Sequence, residues 1–180
     1  MAIYVLVRRW LACVLLCVLI SAVFPVLVRA GEPSSWMEAQ DLPELVSQLD
    51  DWLDRQSGYP RRTKPPAIRS IDLDDALALS GAMSSSGALR PRGFYDPGTK
   101  EIMLVRPWSP RNAHDVSVLL HELVHHRQAA NEHWYCPGAQ ELPAYKLQRQ
   151  WLAELGLKLQ ANWIAIFLES GCSKSDIHPD

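Results

Sequence analysis

The apolar and polar positions divide the chain into one long apolar segment followed by a series of short amphipathic stretches. Residues 10–28 are apolar except where Ser21 and Pro25 interrupt, and residues 31–40 form a polar lead-in without a clear period. Leu45, Leu49, Trp52 and Leu53 then recur at helical spacing with Asp50, Asp51, Asp54 and Arg55 opposite, which predicts a packing helix. Asp41 is placed to cap it, Glu44 completes a capping-box pattern, Pro43 suits a first turn, and Gly58 marks its end. A connector rich in Pro and Arg occupies 59–66, where Arg61, Arg62 and Lys64 read as a solvated basic run. Alternation over 67–71 predicts a strand, and Asp72 caps a short helix through Leu79 that Gly81 closes. After a small-residue loop at 83–87, a β-hairpin is expected: Gly93-Phe94-Tyr95, the turn Asp96-Pro97-Gly98-Thr99, and a second strand over 101–105.

The longest helical pattern starts at a cap between Ser109 and Asn112 and runs to about Ala130, with Val116, Leu119, Leu120, Leu123 and Val124 at helical spacings. A loop at 131–138 precedes a helix that begins near Glu141, holds Pro143 in its first turn, and carries the stripe Leu147, Trp151, Leu152 and Leu155 up to Gly156. A last helix is expected from 157 to about 169, apolar at Leu159, Trp163, Ile166 and Phe167. Several helices with a few short strands predict an α+β fold, with a short antiparallel hairpin packed on the longest helix and on the C-terminal helices.

That longest helix carries the chemistry. It contains His121-Glu122-Leu123-Val124-His125, an H-E-x-x-H pattern. Residues four apart lie about 40° apart around a helix axis and about one turn along it, so both imidazoles can aim at one point, where a zinc ion would sit. Glu122 projects from the flank, placed to take a proton from a metal-bound water rather than to ligate. Two histidines leave a catalytic zinc site one ligand short. His114 lies on the same face but about 10 Å back along the axis, and His126 points about 100° away from His125. His133, in the following loop, could reach; so could Glu141, if its helix packs antiparallel on the first.

With Glu141-x-x-Ala144-Tyr145 downstream, the H-E-x-x-H segment resembles the gluzincin zinc metallopeptidases, and the chain is most similar to small exported bacterial H-E-x-x-H proteins of uncharacterised function. The resemblance covers about residues 67–155 and implies a small zincin-like domain. In it Glu141 is the third zinc ligand beside His121 and His125, and the small Ala144 lets the two helices approach. The hairpin 94–105 is similar to the strand pair that precedes the active-site helix in zincins. The metzincin pattern does not fit, since Gln128 and Asn131 stand where it requires Gly and His. The reaction implied is peptide-bond hydrolysis through a zinc-bound water, with Glu122 as general base and a phenol such as that of Tyr145 stabilising the oxyanion. The free edge of the second hairpin strand, at Ile102, Leu104 and Val105, is where the resemblance places an extended peptide, although its run of apolar residues also suits a central strand.

Composition narrows the setting. Arg8 and Arg9, the apolar stretch, and Val28-Arg29-Ala30 before Gly31 read as a signal peptide over 1–30, which leaves one domain over 31–180 in a periplasmic or extracellular location. An uncleaved segment would instead anchor the chain in a membrane. Removing Arg8, Arg9 and Arg29 from 18 basic residues leaves 15 against 20 acids, a net of −5 that speaks against nucleic acid as a partner. Cys13 and Cys17 leave with the signal; Cys136 and Cys172 are then expected to form a disulfide. The expected partner is a peptide or protein substrate, met by a monomer. A zinc-stabilised binding module without hydrolysis and a membrane-anchored envelope interaction protein are the alternatives.

Overall fold

The computed structural model describes residues 33–83, 91–130 and 136–171. A 3-10 turn at Pro33–Glu38 leads into helix α1, Leu42–Gln56. Strand β1 is Ala67–Ile71, helix α2 Leu73–Met83, strand β2 Gly93–Asp96 and strand β3 Glu101–Val105. Helix α3 spans Ala113–Gln128, a second 3-10 turn Pro137–Gln140, helix α4 Glu141–Glu154, and helix α5 Trp163–Ser170. The architecture is α+β, as the residue pattern predicts. Among the described residues no helix is long and apolar enough to cross a membrane; the signal segment over 1–30 lies outside them.

Local chemistry sets most of the boundaries. Asp41 caps α1 by accepting the Glu44 amide at 2.8 Å, while the Glu44 carboxylate reaches back to the Gln40 amide at 2.8 Å. Asn112, rather than Ser109, caps α3 and accepts the amides of His114 and Asp115. The end of α4 is set by Gly156, whose φ of +73° permits the reversal in which the Leu157 amide returns to the Leu152 carbonyl at 2.9 Å. That reversal explains why the last helix does not start at 157: it begins at Trp163, where the Asn162 side chain accepts the Ala165 amide. Helix α2 runs past Gly81 to Met83, an interior glycine being an affordable weakness rather than a stop. Asp72 stands at its start, with its carbonyl accepting the Ala76 amide and its carboxylate paired with Arg106. The polar lead-in hides a core residue, since Trp36 is buried against Trp151 with ring centroids 5.7 Å apart.

The sheet departs from expectation in a way that matters for function. Its order is β1-β3-β2, with β1 parallel to β3 and β2 antiparallel to it, so the sheet is mixed and β3 is central. Ile102 and Leu104 face the main core with α1, α3 and α4, while Met103 and Val105 pack on the other side with Ile71 and Ala76. Cover on both faces is the physical reason for four apolar residues in succession. Ile102, Leu104 and Val105 are therefore buried and paired on both edges, and the expectation that they border a substrate is corrected.

Helix α3 is the axis of the main core. Val116, Leu119, Leu120, Leu123 and Val124 are wholly enclosed, and such burial stabilises by roughly 1.5–3 kcal/mol per large aliphatic side chain. Its contacts with α4 run in opposite senses along the two helices, from Gln128 with the Gln140 carbonyl to Ser117 with Gln148, so the helices are antiparallel.

Candidate metal centre

The antiparallel packing brings Glu141, the first residue of α4, to the last two turns of α3. His121 and His125 stand one turn apart on α3, with their Nε2 atoms 3.0 Å apart. The Glu141 carboxylate straddles them: Oε2 lies 3.3 Å from His121 Nε2 and Oε1 lies 3.4 Å from His125 Nε2. Two imidazole nitrogens and a carboxylate thus converge on one point, a group that could hold a metal ion. Ligand atoms about 2.0–2.2 Å from a common ion at tetrahedral angles lie roughly 3.3–3.6 Å from one another, close to the spacing found, and the donor set is one that zinc takes. Ala144, 0% exposed, sits in the helix interface one turn beyond Glu141, where a larger side chain would hold α4 off.

Charge follows the same geometry. Burial alone would depress the His125 pKa, but its bond to Glu141, the charges of Glu141 and Glu122, and its bond to Gln128 prevail and raise it from 6.5 to about 9. Burial would likewise raise Glu141; the hydrogen bonds and charges of His121 and His125 outweigh it and hold the carboxyl well below the ordinary carboxylate range. Glu122 behaves differently. Burial pushes its carboxyl above the usual range, against the attraction of His121 and His125 and with a smaller push from Glu141.

Glu122 has a neighbour that the sequence pattern did not single out. A Cβ at Gly93, the first residue of β2, would stand 2.8 Å from both Glu122 Oε1 and Val118 Cγ1, so only glycine leaves room for the carboxylate beside the strand. Tyr145 is also at the centre: its ring meets that of His121 edge-on, with centroids 4.5 Å apart, and Trp163 of α5 stands behind it at 6.5 Å.

Other histidines are placed elsewhere. His114 is exposed at the start of α3, and His133 lies outside the described residues. His126 is buried on the opposite side, where its Nε2 meets the Lys64 carbonyl at 3.1 Å and its Nδ1 the Tyr95 hydroxyl at 3.2 Å. The connector 59–66 is mostly exposed, as expected, and is also tied down: Arg62 bonds to the Tyr95 hydroxyl and the His126 carbonyl, and Arg61 pairs with Asp51 and Asp54. Cys136 is buried at the start of the turn before Glu141, and its expected partner Cys172 lies outside the described residues. Sequence reasoning also passed over Gln128, which bonds to His125 Nδ1 at 2.9 Å; its position three residues after a candidate ligand on the same helix was the available signal.

Residues 38–180 match the family described as a domain of unknown function, DUF6647, and the chain belongs to that family. No curated protein and no solved structure matches it.

Proposed function

We propose that this member of the DUF6647 family is an exported zinc metallopeptidase, with His121, His125 and Glu141 as the zinc ligands and Glu122 as the general base. The observation that carries the reading is the pair of Nε2 atoms 3.0 Å apart, each within 3.3–3.4 Å of one oxygen of the Glu141 carboxylate, with the buried carboxyl of Glu122 next to them on α3. Bound zinc supplies Lewis acidity, polarising a water and a substrate carbonyl. Glu122, held high by burial, accepts the proton of the attacking water and delivers it to the leaving amine. The contact of the Tyr145 ring with His121 supports its phenol as the group that stabilises the developing oxyanion.

An extended substrate belongs along β2 rather than β3. The Val105 amide bonds to the Arg92 carbonyl, and alternation along the antiparallel register then turns the main-chain groups of Gly93 and Tyr95 away from β3. Gly93 is the residue that touches Glu122, so a peptide added at this edge would run beside the proposed base. The apolar stretch and cleavage pattern at 1–30 support export, and a Cys136–Cys172 bridge would then tie the turn before Glu141 to the C-terminal segment.

The test is hydrolysis of a mixed peptide library by the zinc-loaded protein and by Glu122→Gln. The amide cannot accept the proton, so turnover should fall by about 10²–10⁴-fold while zinc content stays the same. Turnover at the wild-type rate in Glu122→Gln would remove it as base, and absence of cleavage by the wild type would favour a zinc-stabilised binding module.

A further inference from the structure

Gln128 closes α3 and is wholly buried, yet it belongs to neither the core nor the three ligands. Its amide makes two bonds. The Oε1 lies 2.9 Å from His125 Nδ1, and the Nε2 donates to the Gln140 carbonyl at 3.1 Å. Gln140 directly precedes Glu141. One side chain therefore grips a donor on α3 and the backbone that presents a donor on α4.

The orientation of that amide is forced. Turned over, it would set its oxygen against the Gln140 carbonyl, an acceptor facing an acceptor in a buried space. With the nitrogen on Gln140, the oxygen faces His125 Nδ1, which must then carry a hydrogen. That leaves His125 Nε2, the atom beside His121 and Glu141, as the only ring nitrogen free to ligate. Among the described residues nothing plays this part for His121, whose Nδ1 is buried without a hydrogen-bond partner, so the fixed geometry enters the centre through His125.

We propose that Gln128 is the positioning residue of the metal centre: its oxygen sets the His125 tautomer. The proposal rests on the metal reading given above and adds to it a ligand-orienting side chain on the same helix. Residues that orient metal-bound histidines typically carry 10–100-fold in metal affinity.

Three forms of the full chain separate the possibilities: wild type, Gln128→Met, which keeps length and burial but loses both bonds, and Gln128→Glu, which keeps an acceptor for His125. Zinc affinity is read by chelator competition. The His125 Nδ1 proton is read by nitrogen-labelled imidazole NMR on the metal-free protein above pH 9, where the ring carries a single proton. Gln128→Met should bind zinc about 10–100-fold more weakly and lose the Nδ1 proton, whereas Gln128→Glu should keep the proton and stay within about tenfold of wild type. The proposal is overturned if Gln128→Met binds zinc as wild type does, or if Gln128→Glu binds no more tightly than Gln128→Met. Should Gln128→Met fail to fold, Gln128→Glu decides: a retained proton and near-wild-type affinity support the proposal, and loss of either defeats it. A wild type that binds no zinc defeats the metal reading; the NMR comparison then still decides whether Gln128 sets the tautomer.

Discussion

Helix α3 presents two buried polar faces, and they differ in how their donors are spent. On the side of α1 and the connector, both ring nitrogens of His126 are occupied, and Arg127 bonds to the Asp50 carboxylate and carbonyl, the Tyr59 carbonyl and Asp54. Burial, with the nearby charges of Arg62 and Arg127, lowers the His126 pKa despite the Lys64 bond and the charge of Asp50. On the side of α4, His121 Nδ1 has no partner among the described residues, and two Nε2 atoms and a carboxylate crowd one point instead of reaching separate ones. A saturated polar face holds a fold together, while a converging one is suited to receive an ion. Adjacent residues of one helix, His125 and His126, fall on opposite sides of that division.

If the comparison is right, damage to the saturated face should lower stability without touching the metal. Arg127 is 1% exposed, and Arg127→Met would leave the half-buried Asp50 without this cation. Breaking such a pair costs about 3–5 kcal/mol. Denaturant unfolding should show that loss, while zinc bound per folded chain stays as in wild type. Loss of zinc from folded Arg127→Met would show that the two faces are not separate.

A smaller effect is expected at Gly93, where the converging face meets the sheet. Gly93→Ala forces Glu122 and Val118 to move, an overpacking that costs about 1–3 kcal/mol. Peptide turnover should drop with zinc content unchanged, because the displaced group is the proposed base and not a ligand. Wild-type turnover in Gly93→Ala would mean that Glu122 need not sit against β2.

The gentlest probe is pH. The His125 pKa is raised from 6.5 to about 9 on folding, so its contribution is complete below pH 6.5 and is lost as pH rises through about 9. The upward shift of Glu122 has the same sign. Glu141 is depressed from 4.5, so its contribution is present above pH 4.5 and fades as pH falls below it. Thermal unfolding of the metal-free protein, followed in chelator, should therefore show stability declining from pH 6.5 to 9. A melting temperature that climbs over that interval would contradict the His125–Glu141 pairing.

What the sequence disclosed and what it withheld divide by distance along the chain. The H-E-x-x-H pair and the caps at Asp41 and Asn112 are local, fixed by spacings of a few residues, and they are found as read. Glu141 was reachable because a short loop between two amphipathic helices favours antiparallel packing. The central position of β3 was not reachable from Glu101-Ile102-Met103-Leu104-Val105 alone, since the pattern reports covered faces but not paired edges, and its second partner, β1, ends 30 residues earlier in the chain. The same holds for His126 and Arg127, whose partners Lys64 and Asp50 lie 62 and 77 residues away. The late start of the last helix was hidden differently: its cap, Asn162, lies among residues that also continue an apolar helical pattern.

The most direct test is zinc content, measured by elemental analysis, of purified wild type and Glu141→Ala, with circular dichroism to confirm that both are folded. The geometry predicts about one zinc per chain in wild type and a loss in Glu141→Ala exceeding the 10–100-fold in affinity typical of residues that only orient a ligand. Full zinc occupancy in folded Glu141→Ala would contradict the assignment and place the third donor elsewhere in the chain.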